Sequence, residues 1–157
     1  MDSKKLTPCL WFDTQAEEAA KFYVSIFKDS KIGDISRYPK EGSDVHHMGE
    51  GTVMTVDFVL NGQPFLALNG GPAFKFNEAI SLSIPCETQE EVDYYWNKLT
   101  EGGEESMCGW LKDKYGLWWQ VVPTILPELL KDPQKRGRVM SAFMQMKKFD
   151  IGKLKNA

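Results

Sequence analysis

Apolar side chains recur with two different periods along this chain, and each change of period marks an element. Leu6–Phe12 is a short apolar and aromatic run that predicts a strand. From Ala16 the spacing turns helical: Ala16, Ala19, Ala20, Tyr23, Ile26 and Phe27 fall on one face. Thr14, followed three residues later by Glu17, has the capping-box relation that starts such a helix. Lys31–Tyr38 predicts a weaker strand. Pro39–Gly51, rich in Gly, Glu and Asp, reads as a polar and mobile loop. Thr52–Leu60 and Gln63–Leu68 flank Asn61-Gly62, a strong hairpin signal. A two-residue turn there pairs Phe58 with Phe65, Val56 with Ala67 and Met54 with Asn69.

The pattern breaks at Gly70-Gly71-Pro72, and a strand returns at Ala79–Ile84. Thr88 and Glu91 repeat the capping-box spacing. Val92, Tyr95, Trp96 and Leu99 mark the buried face of the helix that follows, and Gly102-Gly103 end it. A hairpin is predicted over Cys108–Pro123, with a polar turn at Asp113–Gly116 and a longer strand at Leu117–Val122. Pro123 stops that strand because it has no N–H to give the ladder. Alternation puts Trp118, Gln120 and Val122 on one face, and Trp119 and Val121 on the other. Gln120 is the one polar residue in an apolar strand, and its amide needs partners from the fold or from a ligand. Asp132-Pro133 has the form of an N-cap followed by Pro at N1. It predicts a C-terminal helix with Val139, Met140, Phe143 and Met144 on its apolar face.

The order of residues at Asp13-Thr-Gln-Ala-Glu17 recurs at Glu87-Thr-Gln-Glu-Glu91, each stretch preceded by one strand and followed by about three. The unit is βαβββ, present twice. The expected class is α+β, one domain over 1–157: a first module at about 5–71, a second at about 78–123, and a helical extension at about 124–150. A helix covers only one face of each small sheet. Two such sheets, facing each other, would bury their other faces and leave a cleft between them.

Composition narrows the function. A net charge of −3 with no basic stripe argues against nucleic acid as a partner. No apolar run approaches a membrane span, so no membrane partner is expected. Met-Asp-Ser-Lys-Lys-Leu6 leads into a strand with no apolar signal core, which predicts a cytoplasmic protein. Cys9, Cys86 and Cys108 form no CxxC pair and read as free thiols in a reducing compartment. With no His predicted nearby, Cys108 reads as an inert thiol rather than a nucleophile. His46 and His47 are adjacent in a polar loop, a poor spacing for two ligands to one ion.

Three stretches carry a family resemblance: Leu10-Trp-Phe-Asp…Ala-Ala-Lys-Phe-Tyr23, Asn61-Gly-Gln-Pro-Phe-Leu-Ala-Leu-Asn69, and Cys108-Gly-Trp-Leu-Lys-Asp…Trp-Gln-Val-Val-Pro123. With the paired modules, they resemble the vicinal oxygen chelate superfamily, which includes glyoxalase I, extradiol dioxygenases and bleomycin-resistance proteins. Within it they look like the PhnB-like branch, with its demethylubiquinone methyltransferase-like domain. The resemblance extends to Val139-Met…Phe-Met…Met-Lys-Lys148. It implies a divalent metal held by four inward side chains, from the first and last strand of each module, acting as a Lewis acid. Carried over by strand, those positions are Pro8, Ala67, Ala79 and Gln120, and a one-residue slip substitutes Cys9, Leu68 and Ile80. Neither set makes a metal centre, so no metal ligands and no cofactor are predicted. Methyl transfer is expected no more strongly, because Gly70-Gly71 precedes no convincing helix and Gly102-Gly103 ends one.

Placing Ala67 on the cleft face brings its same-face neighbours with it. The predicted small-molecule site is therefore Leu10, Phe12, Met54, Val56, Phe58, Phe65, Asn69, Ser81, Trp118 and Gln120, with Ser83 beside them: apolar, with a few polar points. The clustered Trp110, Trp118 and Trp119 offer surfaces for an aromatic ligand or for core packing. The expected function is a small-molecule-binding protein of glyoxalase-like fold, either a metal-independent enzyme or a module that sequesters its ligand. A homodimer is expected from family habit and from Met140, Met144 and Met146. The alternative is a divalent-metal lyase, isomerase or dioxygenase with non-standard ligands among His46, His47, Glu50 and Asp57.

Overall fold

The computed structural model describes residues 6–157. Residues 1–5, including the expected start of the first module at 5, lie outside the described residues. The chain divides into two compact units, the first ending at Lys75 and the second running Phe76–Ala157. In chain order the elements are β1 Cys9–Phe12, α1 Ala16–Ile26, β2 Lys31–Arg37, α2 Ser43–His46, β3 Val53–Leu60 and β4 Gln63–Asn69. The second unit has β5 Leu82–Cys86, α3 Gln89–Thr100, β6 Glu104–Glu105, β7 Trp110–Lys112, β8 Trp118–Pro123, α4 Ile125–Lys131, α5 Arg136–Phe143 and α6 Ile151–Lys155.

Each unit holds one four-stranded mixed sheet, ordered β1-β4-β3-β2 in the first and β5-β8-β7-β6 in the second. In both, the first strand runs parallel to the last and the remaining pairs are antiparallel. The doubled βαβββ unit read from the sequence is therefore the architecture, an α+β fold of two modules.

In the first unit the helical spacing translates directly into burial: Ala16, Ala19, Ala20, Tyr23 and Ile26 are all buried. Small alanines let α1 lie close to its sheet, and Tyr23 stacks on Phe58 with ring centroids 6.4 Å apart. The start of α1 departs from expectation. Its N-cap is Gln15, which makes no side-chain cap bond, and Thr14 does not serve. The free amide of Ala16 is taken instead by Asn69 Oδ1 at 2.8 Å, from the far end of β4. A cap drawn from a distant strand leaves no local signature. The β3–β4 hairpin follows the Asn61-Gly62 reading. Both residues have positive φ (48° and 76°), as a type I′ turn requires. Phe58 pairs with Phe65 and Val56 with Ala67, and the Phe58 and Phe65 rings stack at 5.4 Å. The polar loop before β3 contains the short helix α2.

In the second unit α3 has the expected cap: Glu91 N–H donates to Thr88 Oγ1 at 3.2 Å, and Glu91 Oε2 accepts from Glu87 N–H at 2.7 Å. Val92, Trp96 and Leu99 are buried and Tyr95 is half-buried. The strand expected at Ala79–Ile84 begins later, at Leu82, and Ser81 stands outside it.

The C-terminal extension is three short helices rather than one. Asp132 does open a turn, accepting from Gln134 N–H through Oδ1 and from Lys135 and Arg136 N–H through its carbonyl, but α5 starts only at Arg136. Of its predicted apolar face only Val139 is buried. Phe143 is half-buried against Phe149, and Met140 and Met144 are exposed. Further along, the tail is sewn to the module. Gln89 donates to Phe149 O at 3.0 Å and accepts from Ile151 N–H at 2.8 Å, and Lys148 pairs with Asp93 at 2.7 Å. Cys108 and Gly109 N–H donate to Met146 and Lys147 carbonyls. Gly109 is required there: its φ is 78°, and a Cβ would lie 2.4 Å from the Phe149 ring. Among the described residues no helix is long and apolar enough to cross a membrane.

Candidate functional site

Strand β8 organises the second unit. Trp119 and Val121 are buried, with Ile84 and Leu111 on the flanking strands, on the face that α3 covers. Trp118 and Gln120 are half-buried and take the opposite face, as a period of two demands. Cross-strand pairing builds a surface there. Gln120 stands opposite Ser83 on β5 and Trp110 on β7, and Trp118 stands opposite Lys112. The Trp110 and Trp118 rings are tilted at 59° with centroids 6.4 Å apart. Lys112 Nζ lies 6.0 Å from the Trp118 ring and 2.9 Å from Glu104 Oε1. Gln120 Nε2 donates to Ser81 Oγ at 2.9 Å. That bond uses one of the amide's two donor hydrogens, so Gln120 Oε1 and the Ser81 hydroxyl hydrogen keep bonding capacity.

The turn between these strands is more than a polar loop. Asp113 is 2% exposed. Its Oδ1 accepts from Tyr115 N–H at 2.8 Å and Leu117 N–H at 3.1 Å, and its Oδ2 from Trp119 Nε1 at 2.8 Å. The buried carboxylate thus holds both the turn and the indole behind the Trp118–Gln120 surface.

In the first unit the predicted lining falls on the other side of the sheet. Leu10, Phe12, Val56, Phe58 and Phe65 are buried on the face that α1 covers, and Ala67, the residue that anchored the assignment, is with them. Asn69, also buried, caps α1 and donates through Nδ2 to Val53 O at 3.1 Å, while its carbonyl accepts from Tyr38 OH. These are core residues, not a surface offered to a ligand. Met54 is half-buried, beside the irregularity between Ser36 and Arg37 in β2. The physical reason is parity: Ala67 lies under α1, one residue out of step with the open face, and with a period of two that carries every same-face neighbour under the helix with it. The face turned from α1 carries Trp11, Thr55, Asp57, Leu66 and Leu68, all half-buried. Trp11 Nε1 donates to Gly71 O at 2.9 Å, and Phe74 meets its ring edge-on at 5.0 Å. The same alternation points to these residues once the helix is placed. Of the predicted site, the structure brings Ser81, Trp118 and Gln120 together.

The residues present do not fit the superfamily's metal. Ala67 is fully buried, Ala79 is exposed and neither has a donor side chain. The slipped register does reach the face turned from α1, but there it offers one thiol, Cys9, and the apolar Leu68. Among the described residues no three His, Cys, Asp or Glu side chains converge. His46 lies against Tyr38, with ring centroids 4.8 Å apart, and its Nδ1 accepts from Met48 N–H at 3.0 Å. That bond places the proton on Nε2, which is buried without a partner among the described residues. His47 and Glu50 are exposed and do not join it. Two of the thiols are poorly disposed to attack: burial, with Glu91 adding to it, pushes Cys86 up to about 12, and burial also raises Cys9.

Comparison with known proteins agrees with this fold. The family profile described as 3-demethylubiquinone-9 3-methyltransferase matches residues 4–122. The PhnB protein of Bacillus cereus is 40% identical, with a TM-score of 0.68, over 77% of this chain and 100% of that one. PA1353 from Pseudomonas aeruginosa is 20% identical with a TM-score of 0.60, over 76% of this chain and 96% of its own. The fosfomycin resistance protein FosX of Listeria monocytogenes is similar in fold, at 16% identity and a TM-score of 0.56, over 84% of this chain and 100% of its own. No curated protein matches. The chain belongs to the 3-demethylubiquinone-9 3-methyltransferase family, the PhnB-like branch of the vicinal oxygen chelate superfamily.

Proposed function

We propose that this chain binds a small aromatic molecule on the face of its second sheet turned from α3, as a metal-independent enzyme or as a module that sequesters its ligand. One observation carries the reading. Gln120, the polar residue of an otherwise apolar strand, is half-buried between two indole-bearing positions and has bonding capacity left after its bond to Ser81. An apolar surface with a few placed polar groups is the usual form of a small-molecule site. The family name implies methyl transfer to a demethylated quinone. A planar ring suits the indoles. A nucleotide-type methyl donor is less well served, since Gly70-Gly71 leads into turns and Gly102-Gly103 closes α3.

A thermal-shift screen over aromatic and quinone-like compounds tests the proposal. A compound that raises the midpoint of the wild type, and fails to do so in Gln120→Leu and Trp118→Leu, supports it. A shift retained in both variants places the ligand elsewhere. The competing reading is a divalent-metal enzyme with non-standard ligands among His46, His47, Glu50 and Asp57. Stoichiometric metal that survives dialysis and is lost in a His46/His47 double substitution would favour it. The proposal extends to a homodimer, supported by Met140 and Met144, exposed at 48% and 59%. Sedimentation showing only monomer at micromolar concentration removes that part. A cytoplasmic setting is supported by three cysteines left as free thiols.

A further inference from the structure

We infer that the ligand of this surface is a single aromatic ring with a carboxylate at one end and a hydrogen-bonding oxygen at the other. The inference rests on the small-molecule reading above and names the chemical class. Its argument starts from Lys112. The ammonium lies near the Trp118 ring, so the cation is carried to the edge of an indole surface rather than out into solvent. Its ion-pair partner among the described residues, Glu104, is 70% exposed on the two-residue strand β6. Exposed pairs are weak, so a carboxylate delivered on a ring stacked against Trp118 can displace Glu104.

The second anchor is the Gln120–Ser81 pair, which offers an acceptor and a hydroxyl donor to an incoming oxygen. Lys112 stands opposite Trp118, and Gln120 lies two residues further along the same strand and face. That is a diagonal relation across neighbouring strands, roughly 7–8 Å between backbones. Anchors on such close neighbouring positions suit one ring rather than a fused or extended ring system. Between the two anchors, the tilted Trp110–Trp118 pair lets such a ring stack on one indole while meeting the edge of the other. A cationic ring would meet Lys112 as a like charge, and a neutral ring would leave the Lys112–Glu104 pair as it is.

Calorimetric titration of the intact chain with 4-hydroxybenzoate, its amide 4-hydroxybenzamide, and benzoate tests this. The expected result is binding of 4-hydroxybenzoate at least tenfold tighter than the amide. Lys112→Met should erase that preference without weakening the amide. Glu104→Gln should tighten the carboxylate several-fold by freeing the ammonium. Gln120→Leu should bring 4-hydroxybenzoate down to the level of benzoate. Glu104 is exposed, so Glu104→Gln keeps the fold and decides the question even where Lys112→Met does not fold. Equal binding of acid and amide, both weakened by Trp118→Leu, overturns the carboxylate assignment and leaves the binding surface standing. No binding in any arm, or binding indifferent to Trp118→Leu, overturns both.

Discussion

Asp113 Oδ2 accepts a hydrogen bond from Trp119 Nε1 at 2.8 Å, joining the turn of the β7–β8 hairpin to the core side of β8. With two backbone amides on Oδ1, the carboxylate satisfies three donors while 2% exposed. The strand that presents Trp118 and Gln120 is therefore held from behind. The geometry of that surface depends on a carboxylate buried behind it.

Removing that carboxylate should be costly. Asp113→Ala leaves three donors without their acceptor, at about 1–3 kcal/mol for each fully buried group and less than additively. We expect a loss of roughly 3–5 kcal/mol. Trp119→Phe keeps an aromatic ring but removes the N–H donor and part of the buried indole, and should cost about 1–3 kcal/mol. Urea denaturation measures both, and a loss under 1 kcal/mol for Asp113→Ala would show that water replaces the carboxylate.

Asn69 should behave as core. Asn69→Leu removes the cap of α1 and the partner of the Val53 carbonyl, a cost of about 2–3 kcal/mol. Ligand affinity of the folded variant should match the wild type. Weakened binding at unchanged thermal stability would restore Asn69 to the site.

Gln120 should show the opposite pattern. It is half-buried with one side-chain bond among the described residues, so Gln120→Leu should change stability by no more than about 0.5–1 kcal/mol. Binding of an aromatic ligand should weaken by about 1–3 kcal/mol as its polar group loses a partner. Calorimetry on the two proteins separates the effects, and unaltered affinity would remove Gln120 from the site.

Cys86 predicts an alkaline limit to stability. Its thiol ionises near 9.0 when unfolded and is pushed up to about 12 when folded, mainly by burial. Below pH 9 it is protonated in both states and contributes no pH dependence. Between pH 9 and 12 the unfolded chain gives up a proton that the folded chain keeps, so stability falls as pH rises. Cys86→Val should flatten the difference between denaturation midpoints at pH 8 and pH 10.5. Parallel curves for the two proteins would show that other groups govern the alkaline limit.

Much of the fold was legible in the sequence because it rests on local rules. Asn61-Gly62 set the register of Phe58 against Phe65 through backbone conformations that few residue pairs adopt. Alternation alone separated Trp118 and Gln120 from Trp119, and Thr88 with Glu91 announced α3. Tertiary structure decided the rest. Both faces of the first sheet carry apolar residues, so hydropathy does not mark which one lies under the helix. Only the seating of α1 on β3 and β4, with Tyr23 stacked on Phe58, settles it. Asn69 and Asp113 look like ordinary turn and strand-end residues, because their partners, Ala16 N–H and Trp119 Nε1, meet them only through folding. A period of two tells which side chains share a face. Which of the two faces is buried depends on where the helix packs, and that is a long-range contact.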